Sequence, residues 1–321
     1  MRYGSIAIIG RTNVGKSTFL NHVLGMPLAI VSRQPQTTRD ALLGVVNSGD
    51  AQIAFVDTPG LHRPKNELGR RMNQEATDSL RGADAALFMT DIFQIDADEK
   101  ASKNPSAAPR SRHPGDRTDA ELLELVPKQL PTLLVVNKID RLRDKGRLLP
   151  YLQRMNEKHA FAAVIPISAL SGDGTDRVLA EAVKLLPEGE KSFPDDEVTD
   201  RPVSFFAREY IREQVLVSCE REVPHAVAVT LDSIEERNTG LHVSATIHVE
   251  KTGQRSILVG RGGEKIKEIG TLARDRLSKL TEQPVHLHLF VRVTERWRNV
   301  PRQLAELGYI SGNSRAPHEG A

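Results

Sequence analysis

The chain has 321 residues, 39% of them hydrophobic and 27% charged, with a formal net charge of +2. That composition suits a globular protein long enough for two domains, each with its own buried core, and it excludes a polyanion-binding surface spread over the whole molecule. Cys219 is the only cysteine, which excludes an intramolecular disulfide and makes the thiol a small core side chain.

The start, from Met1 to Gly10, enters a strand-like run with no charged-then-apolar leader, so the cytoplasm is the expected compartment. No run of about 18 apolar residues follows anywhere, and no membrane-spanning helix is expected. Residues 5–9, 52–56, 85–89, 132–136 and 163–167 are short apolar runs separated by helix-like amphipathic stretches, the rhythm of a parallel α/β sheet.

Directly after the first run stands Gly10-Arg11-Thr12-Asn13-Val14-Gly15-Lys16-Ser17-Thr18, a glycine-rich phosphate loop between a strand and a helix-like stretch at 18–24. Its glycines let backbone N–H groups turn onto phosphate oxygens, Lys16 reaches the terminal phosphates, and Ser17 can ligate magnesium. In the polar stretch beyond, Thr37-Thr38-Arg39-Asp40 places the Thr38 hydroxyl where it completes a magnesium shell once a γ-phosphate is present. Asp57-Thr58-Pro59-Gly60 closes the run 52–56. Asp57 then stands at the carboxyl end of a strand, facing the phosphate loop and holding magnesium, while Gly60 offers an N–H that no Cβ shields.

Residues 97–117 carry three prolines and no apolar period, and read as a mobile surface insertion. Asn137-Lys138-Ile139-Asp140 caps the run 132–136. An ionised Asp140 accepts from both N1–H and the 2-amino group of guanine, whereas adenine lacks the second donor; such polar discrimination reaches about 10⁴–10⁵. Ser168-Ala169-Leu170 can add a backbone donor to guanine O6.

Residues 187–200 hold six acidic side chains against Lys191 alone, with Pro194 inside, the composition of an exposed interdomain linker. The second domain, 201–312, reads α-β-β-α-β: helix-like 205–219, strands 226–233 and 241–248, a glycine turn and helix at 260–280, and a strand at 285–293. A flexible tail is expected at 313–321. Gly260-Arg261-Gly262-Gly263, with Lys265 and Lys267 behind it, lies in the stretch 251–279, where eight basic residues face three acidic ones. Backbone amides and Arg261 can approach a sugar-phosphate chain there while the adjoining helix and strand form a groove for unstacked bases. Trp297 is an alternative stacking residue, but Val300, Leu304 and Leu307 behind it favour helix packing.

The five motifs of residues 1–186, in this order, resemble the translation-factor-related small GTPases. The resemblance implies a P-loop GTPase domain with a mostly parallel six-stranded sheet, GTP as substrate and Mg²⁺ as cofactor. Leu61 follows Gly60, where many such proteins carry the glutamine that orients water; the neighbouring His62 is a weak substitute, since a histidine there needs no catalytic role. Members with an apolar residue at this place have an asparagine in the phosphate loop, and Asn13 occupies it. By resemblance Asn13 helps hold K⁺, whose charge serves the transition state as an arginine finger does, and Lys16, Thr38, Gly60 and Asn13 form the catalytic set.

The G-x-x-G turn with its basic flanks resembles an α+β type II KH domain. With Thr199-Asp200-Arg201, Pro284-Val285-His286-Leu287 and Leu307-Gly308-Tyr309, nearly the whole chain resembles the Era-type family of bacterial GTPases. That likeness implies a monomer acting in assembly of the 30S ribosomal subunit and rRNA maturation, with the 3′ end of 16S rRNA in the KH groove. The chain departs from the family's pattern at Thr12, commonly proline, and in the 97–117 insertion. Two rival readings stay open: a constitutive RNA-binding protein whose nucleotide domain is not coupled to RNA, and a cell-cycle regulator peripheral to the inner membrane. For the second, no polybasic amphipathic segment argues.

Overall fold

A computed structural model describes residues 1–93, 117–142, 144–220 and 222–309. The expected insertion, apart from Arg117, and the expected tail at 313–321 lie outside them. The first sheet contains β1 (Arg2–Gly10), β2 (Leu42–Ser48), β3 (Ala51–Asp57), β4 (Ala85–Asp91), β5 (Thr132–Asn137) and β6 (Ala163–Pro166) in the order β2-β3-β1-β4-β5-β6. Only β2 runs antiparallel to its neighbour. Helices α1 (Lys16–Leu24), α2 (Glu67–Arg81), α3 (Asp119–Leu123) and α4 (Leu148–Lys158) lie between the strands in sequence, and α5 (Thr175–Leu185) follows the last of them.

Side chains alternate across a strand, so β1 feeds two cores. Ile6 and Ile8 join Phe19 and Phe55 on one face, and Ala7 and Ile9 join Phe88 and Tyr151 on the other. Burial on both faces explains why the central strands are uninterrupted apolar runs. The edge strand β2 was not evident from that rhythm, because Gly44 breaks its apolar run.

Residues 187–200, expected as an exposed interdomain linker, are mostly exposed, yet they are bonded to the first domain. Gln52, fully buried in β3, accepts at Oε1 from the Ser192 and Phe193 amides, both at 3.0 Å, and donates from Nε2 to the Phe193 carbonyl at 2.9 Å. Farther along, the Val45 amide donates to the Val198 carbonyl at 2.9 Å and the Thr199 hydroxyl to the Leu43 carbonyl at 2.7 Å. The segment is a strap that satisfies the open edge of β2.

The second domain begins with α6 (Val203–Ser218), followed by β7 (Ala228–Arg237), β8 (Gly240–Val249), α7 (Thr252–Val259), α8 (Glu264–Thr281), β9 (Val285–Val293) and α9 (Pro301–Glu306). Its sheet has the order β7-β8-β9, antiparallel then parallel. The order is α-β-β-α-α-β through β9, because the glycine turn separates two helices rather than opening one. Residues of α6 and α8 join β7, β8 and β9 in one apolar core that includes Cys219. Trp297 is also buried: its Nε1–H donates to the Ala226 carbonyl at 2.9 Å and its ring stacks on Tyr309. It is a packing residue, as the flanking apolar pattern indicated.

The two domains share apolar contacts, with Phe206, Ala207 and Tyr210 of α6 in the same cluster as Leu28, Ala29 and Ile30 of the first domain. Gln52→Ala is expected to lower stability by about 1–3 kcal/mol, since it strips the strap of its buried partners. Chemical denaturation measures this, and faster proteolysis within 187–200 should accompany it.

Candidate functional site

A cavity of about 610 Å³ opens at the carboxyl ends of β1, β3 and β5, where the loops after these strands converge. Thr12, Lys16, Thr38, Gly60, Asn137 and Asp140 are among its lining residues. A Cβ on Gly60 would stand 2.8–3.0 Å from Thr12 atoms, so only glycine lets the Asp57–Gly60 turn press against the phosphate loop. Thr58 anchors that turn by donating to the Ile8 carbonyl at 2.7 Å.

Ser17, Thr38 and Asp57 come together as the sequence indicated. The Ser17 hydroxyl donates to Asp57 Oδ2 at 2.6 Å, Thr38 Oγ1 lies 3.3 Å from the same oxygen, and the two hydroxyl oxygens are 3.0 Å apart. Asp57 Oδ1 is buried without a hydrogen-bond partner among the described residues. Burial pushes the Asp57 carboxyl above its ordinary pKa, against the pull of Lys16 and the two hydroxyls. An orphaned carboxylate oxygen beside two hydroxyls is a donor set that a hard divalent cation completes.

The Lys16 ammonium donates to the Arg11 and Gly10 carbonyls at 3.0 and 3.3 Å, under the arch of the loop. Asn137 braces the same arch from β5. Its Nδ2 donates to the Val14 carbonyl at 2.8 Å, while its Oδ1 accepts from the Lys138 and Ala169 amides at 2.7 and 2.9 Å. The Ala169 N–H, within the Ser168-Ala169-Leu170 turn expected to offer a backbone donor to a base, is engaged by Asn137 in this structure. Leu170, 76% exposed, lines the cavity instead. Asp140 keeps an exposed carboxylate at the far end, 3.8 Å from Arg141 Nε.

The Arg11 side chain turns away from the cavity while its backbone stays in the phosphate loop. Its guanidinium is buried, donating from Nε to Asp119 Oδ1 at 2.7 Å with Asp91 Oδ1 3.5 Å from Nη2. Asp91 also takes the Lys138 ammonium at 2.6 Å, and that ammonium bonds to the Asn13 carbonyl at 2.6 Å. Asp91 thus ties the phosphate loop to the base-selecting loop, while Asp119 anchors Arg11 to Thr90 and Tyr151. Sequence reasoning missed both; the only signal was a carboxylate closing the β4 run.

Asn13 lines the cavity and donates from Nδ2 to the Arg33 carbonyl at 3.0 Å. Leu61 is buried in the core shared with Ala7 and Phe88. His62 is buried too, its Nδ1 3.0 Å from the Gly60 carbonyl, and neither residue lines the cavity. The geometry gives His62 a buried packing place.

A second concavity of about 430 Å³ lies between α8 and β9, lined by Lys267, Gly270, Arg274, His286 and Leu289 among others. The turn before it, Gly260-Arg261-Gly262-Gly263, has φ of +75°, +60° and +84° at its glycines, and Cβ atoms on Gly262 and Gly263 would meet nothing within 4 Å. Such a turn bares backbone amides to an approaching phosphate. Lys267 reaches the groove; Lys265 does not line it and stands 3.9 Å from Glu268.

Comparison with known proteins agrees with both sites. Residues 5–138 match the 50S ribosome-binding GTPase family, and residues 222–298 match the KH domain family. The chain is 41% identical to GTPase Era of Xylella fastidiosa over 310 residues, 96% of this chain and 97% of that one. It is 42% identical to GTPase Era of Lacticaseibacillus paracasei over 307 residues, 95% and 96% of the two chains. Among solved structures it resembles an Aquifex aeolicus Era variant bound to GDP and aluminium fluoride, with a TM-score of 0.84 and 36% identity over 96% of this chain and 99% of that one. It resembles equally Era in complex with MgGDPNP and nucleotides 1506–1542 of 16S ribosomal RNA, with a TM-score of 0.85 and the same identity and coverage.

Two outcomes are expected here. Folded and metal-free, Asp57 has a raised pKa, so its contribution to stability is fully present below the unfolded pKa and is lost as pH rises through the folded one. Asp57→Asn should therefore leave the metal-free protein at least as stable at neutral pH in a thermal melt, while Mg²⁺-dependent nucleotide affinity falls tenfold or more in a titration. Asp91→Asn, which frees Lys138 and weakens the hold on Arg11, should raise the Kd for GTP about tenfold, the order expected for removing a buried charge-assisted hydrogen bond. Turnover at saturating GTP should change little.

Proposed function

The chain belongs to the Era family of GTPases and hydrolyses GTP, and from that premise we propose how its residues divide the work. The amides of residues 10–18 and the Lys16 ammonium take the phosphates, and Asp140 pairs with guanine while Asn137 and Lys138 hold the loops together. Ser17, Thr38 and Asp57 are the residues to hold Mg²⁺. Bound there, the ion neutralises charge that develops on the β- and γ-phosphate oxygens. Gly60 presents its N–H to the γ-phosphate. With Leu61 in the core and His62 packed away, neither of the residues after Gly60 serves the attacking water as a base, and turnover depends on charge stabilisation. Asn13 and a neighbouring carbonyl offer the oxygen donors that a K⁺ ion takes, and supply the second positive charge.

In the second domain, which the strap 187–200 joins to the first, the groove between α8 and β9 takes the 3′ end of 16S rRNA. Gly260–Gly263, Arg261 and Lys267 meet the backbone there. Lys265, outside the groove, adds long-range positive potential. The protein then acts as a monomer in the cytoplasm, on the 30S subunit as it is assembled and its rRNA matures.

One observation favours a coupled switch over a constitutive RNA-binding protein. The segment that carries Thr38 to the metal site is bonded on both sides of Thr38 to the RNA-binding domain: Arg212 donates to the Thr37 carbonyl at 2.6 Å, and Arg39 to the Val227 carbonyl at 2.5 Å. A change in Thr38 must be felt by α6.

Anisotropy with a labelled RNA matching the 3′ end of 16S rRNA, in a non-hydrolysable GTP analogue, in GDP and without nucleotide, tests the coupling. A severalfold or larger difference between the GTP and GDP states is expected, and equal affinity in all three would favour the constitutive reading. Turnover should be at least tenfold faster in K⁺ than in Na⁺ and lose that preference in Asn13→Ala. Equal rates in the two salts would remove the K⁺ role.

A further inference from the structure

β9 carries two rows of side chains. Leu287, Leu289, Val291 and Val293 pack inward on the domain core, while His286, His288, Phe290 and Arg292 are exposed on the opposite face, Phe290 at 60%. As the edge strand of its sheet, β9 borders the groove directly, and His286 and His288 line both that groove and the outer row. The two surfaces therefore share a rim. The His286 ring is already ordered, stacked on His242 at 4.4 Å between centroids and 3.1 Å from the Thr239 carbonyl oxygen.

We propose that this outer row is a second RNA surface, which receives the single-stranded nucleotides that leave the groove over its His286–His288 rim. Bases stack on Phe290 and the imidazoles, and Arg292 meets a phosphate or stacks beneath a base. Alternate residues on a strand are about 6.6–6.8 Å apart, twice the roughly 3.4 Å rise of stacked nucleotides. A strand with one side chain inserted between successive bases keeps step with the row. The neighbouring positions of β8 on the same face, His242, Ser244 and Thr246, are polar. Phe290 is thus a solitary large apolar side chain in a polar field, which suits a base better than it suits a protein interface, whose centre needs contiguous apolar area. Stacking accepts any base, so this surface adds affinity and reach without reading sequence, and the groove keeps the specificity.

The inference rests on the groove holding RNA, and the test separates the two. A four-nucleotide RNA matched to the groove and versions extended by four nucleotides at the 5′ or the 3′ end are titrated by anisotropy against the full chain with Mg²⁺ and a GTP analogue. One extension should tighten binding about tenfold, the order of one good base–aromatic stack. Phe290→Ala should abolish that gain and leave the short RNA's affinity unchanged, and Phe290→Tyr should keep the gain; an unchanged thermal melt and circular dichroism spectrum show that each variant is folded. No gain from either extension in the wild type, or a gain that survives Phe290→Ala, overturns the proposal. A Phe290→Ala protein that loses short and long RNAs alike overturns it as well, because the residue then serves the fold of the groove. If no RNA binds the wild type, the groove assignment falls and this one with it.

Discussion

Arg39 is the residue on which the relation between the two domains turns. It stands next to Thr38, in the segment that reaches the metal site, yet its guanidinium is buried in the other domain. There it donates to the Val227 carbonyl and the Tyr309 hydroxyl and lies 5.7–5.8 Å from the ring centroids of Trp297 and Tyr309. Burial lowers its pKa from the ordinary value, and the like charge of Arg212 adds to that. A cation taken out of water is stable only where its partners are fixed. Glu209, which burial alone would push up, is held below its ordinary pKa by Arg212, to which it is bonded from Nε at 3.0 Å. Arg208 reaches Asp40 at 3.2 Å. The interface is a small buried array of charges whose geometry depends on where residues 37–40 lie.

The second loop that meets the phosphates enters the same array by another route. Leu68 and Met72 of α2 pack with Trp297, Leu304, Leu307 and Tyr309, and Arg71 donates to the Pro301 carbonyl at 3.2 Å. Both segments that would sense a γ-phosphate therefore end on the same few aromatic and aliphatic side chains of the second domain. Packed interiors respond to displacement by switching between discrete arrangements rather than by stretching. A shift of Thr38 or of Gly60 would in this way reach α6 and α9.

The phosphate loop, Asp57, the Asn137–Asp140 motif and the G-x-x-G turn were legible in the sequence because each is a local pattern whose chemistry is carried by adjacent residues. What holds them in place was not. Arg11 and Asp119 are 108 residues apart and Arg11 and Asp91 are 80 apart, so no periodicity or spacing links them, and a buried ion pair looks in sequence like any exposed one. Nothing in the motif says where the Arg11 side chain goes. The attachment of the strap was not legible either. Its acidic, proline-containing composition is that of an exposed linker, and most of its side chains are exposed, but it is fixed by backbone groups and by Gln52, 140 residues away. Trp297 was placed correctly because apolar residues at helical spacing behind it are themselves a sign of burial.

That strap also limits what the molecule can do with its two halves. Fourteen residues of free chain would let one domain swing over a radius of some 20 Å or more, and the RNA surface would sample positions unrelated to the nucleotide. With residues 192–199 bonded along β2 and β3, the slack shrinks to the few residues before Val203, where α6 begins. The second domain is then held on a short pivot, and any change in its position relative to the first would be a change of angle rather than of distance.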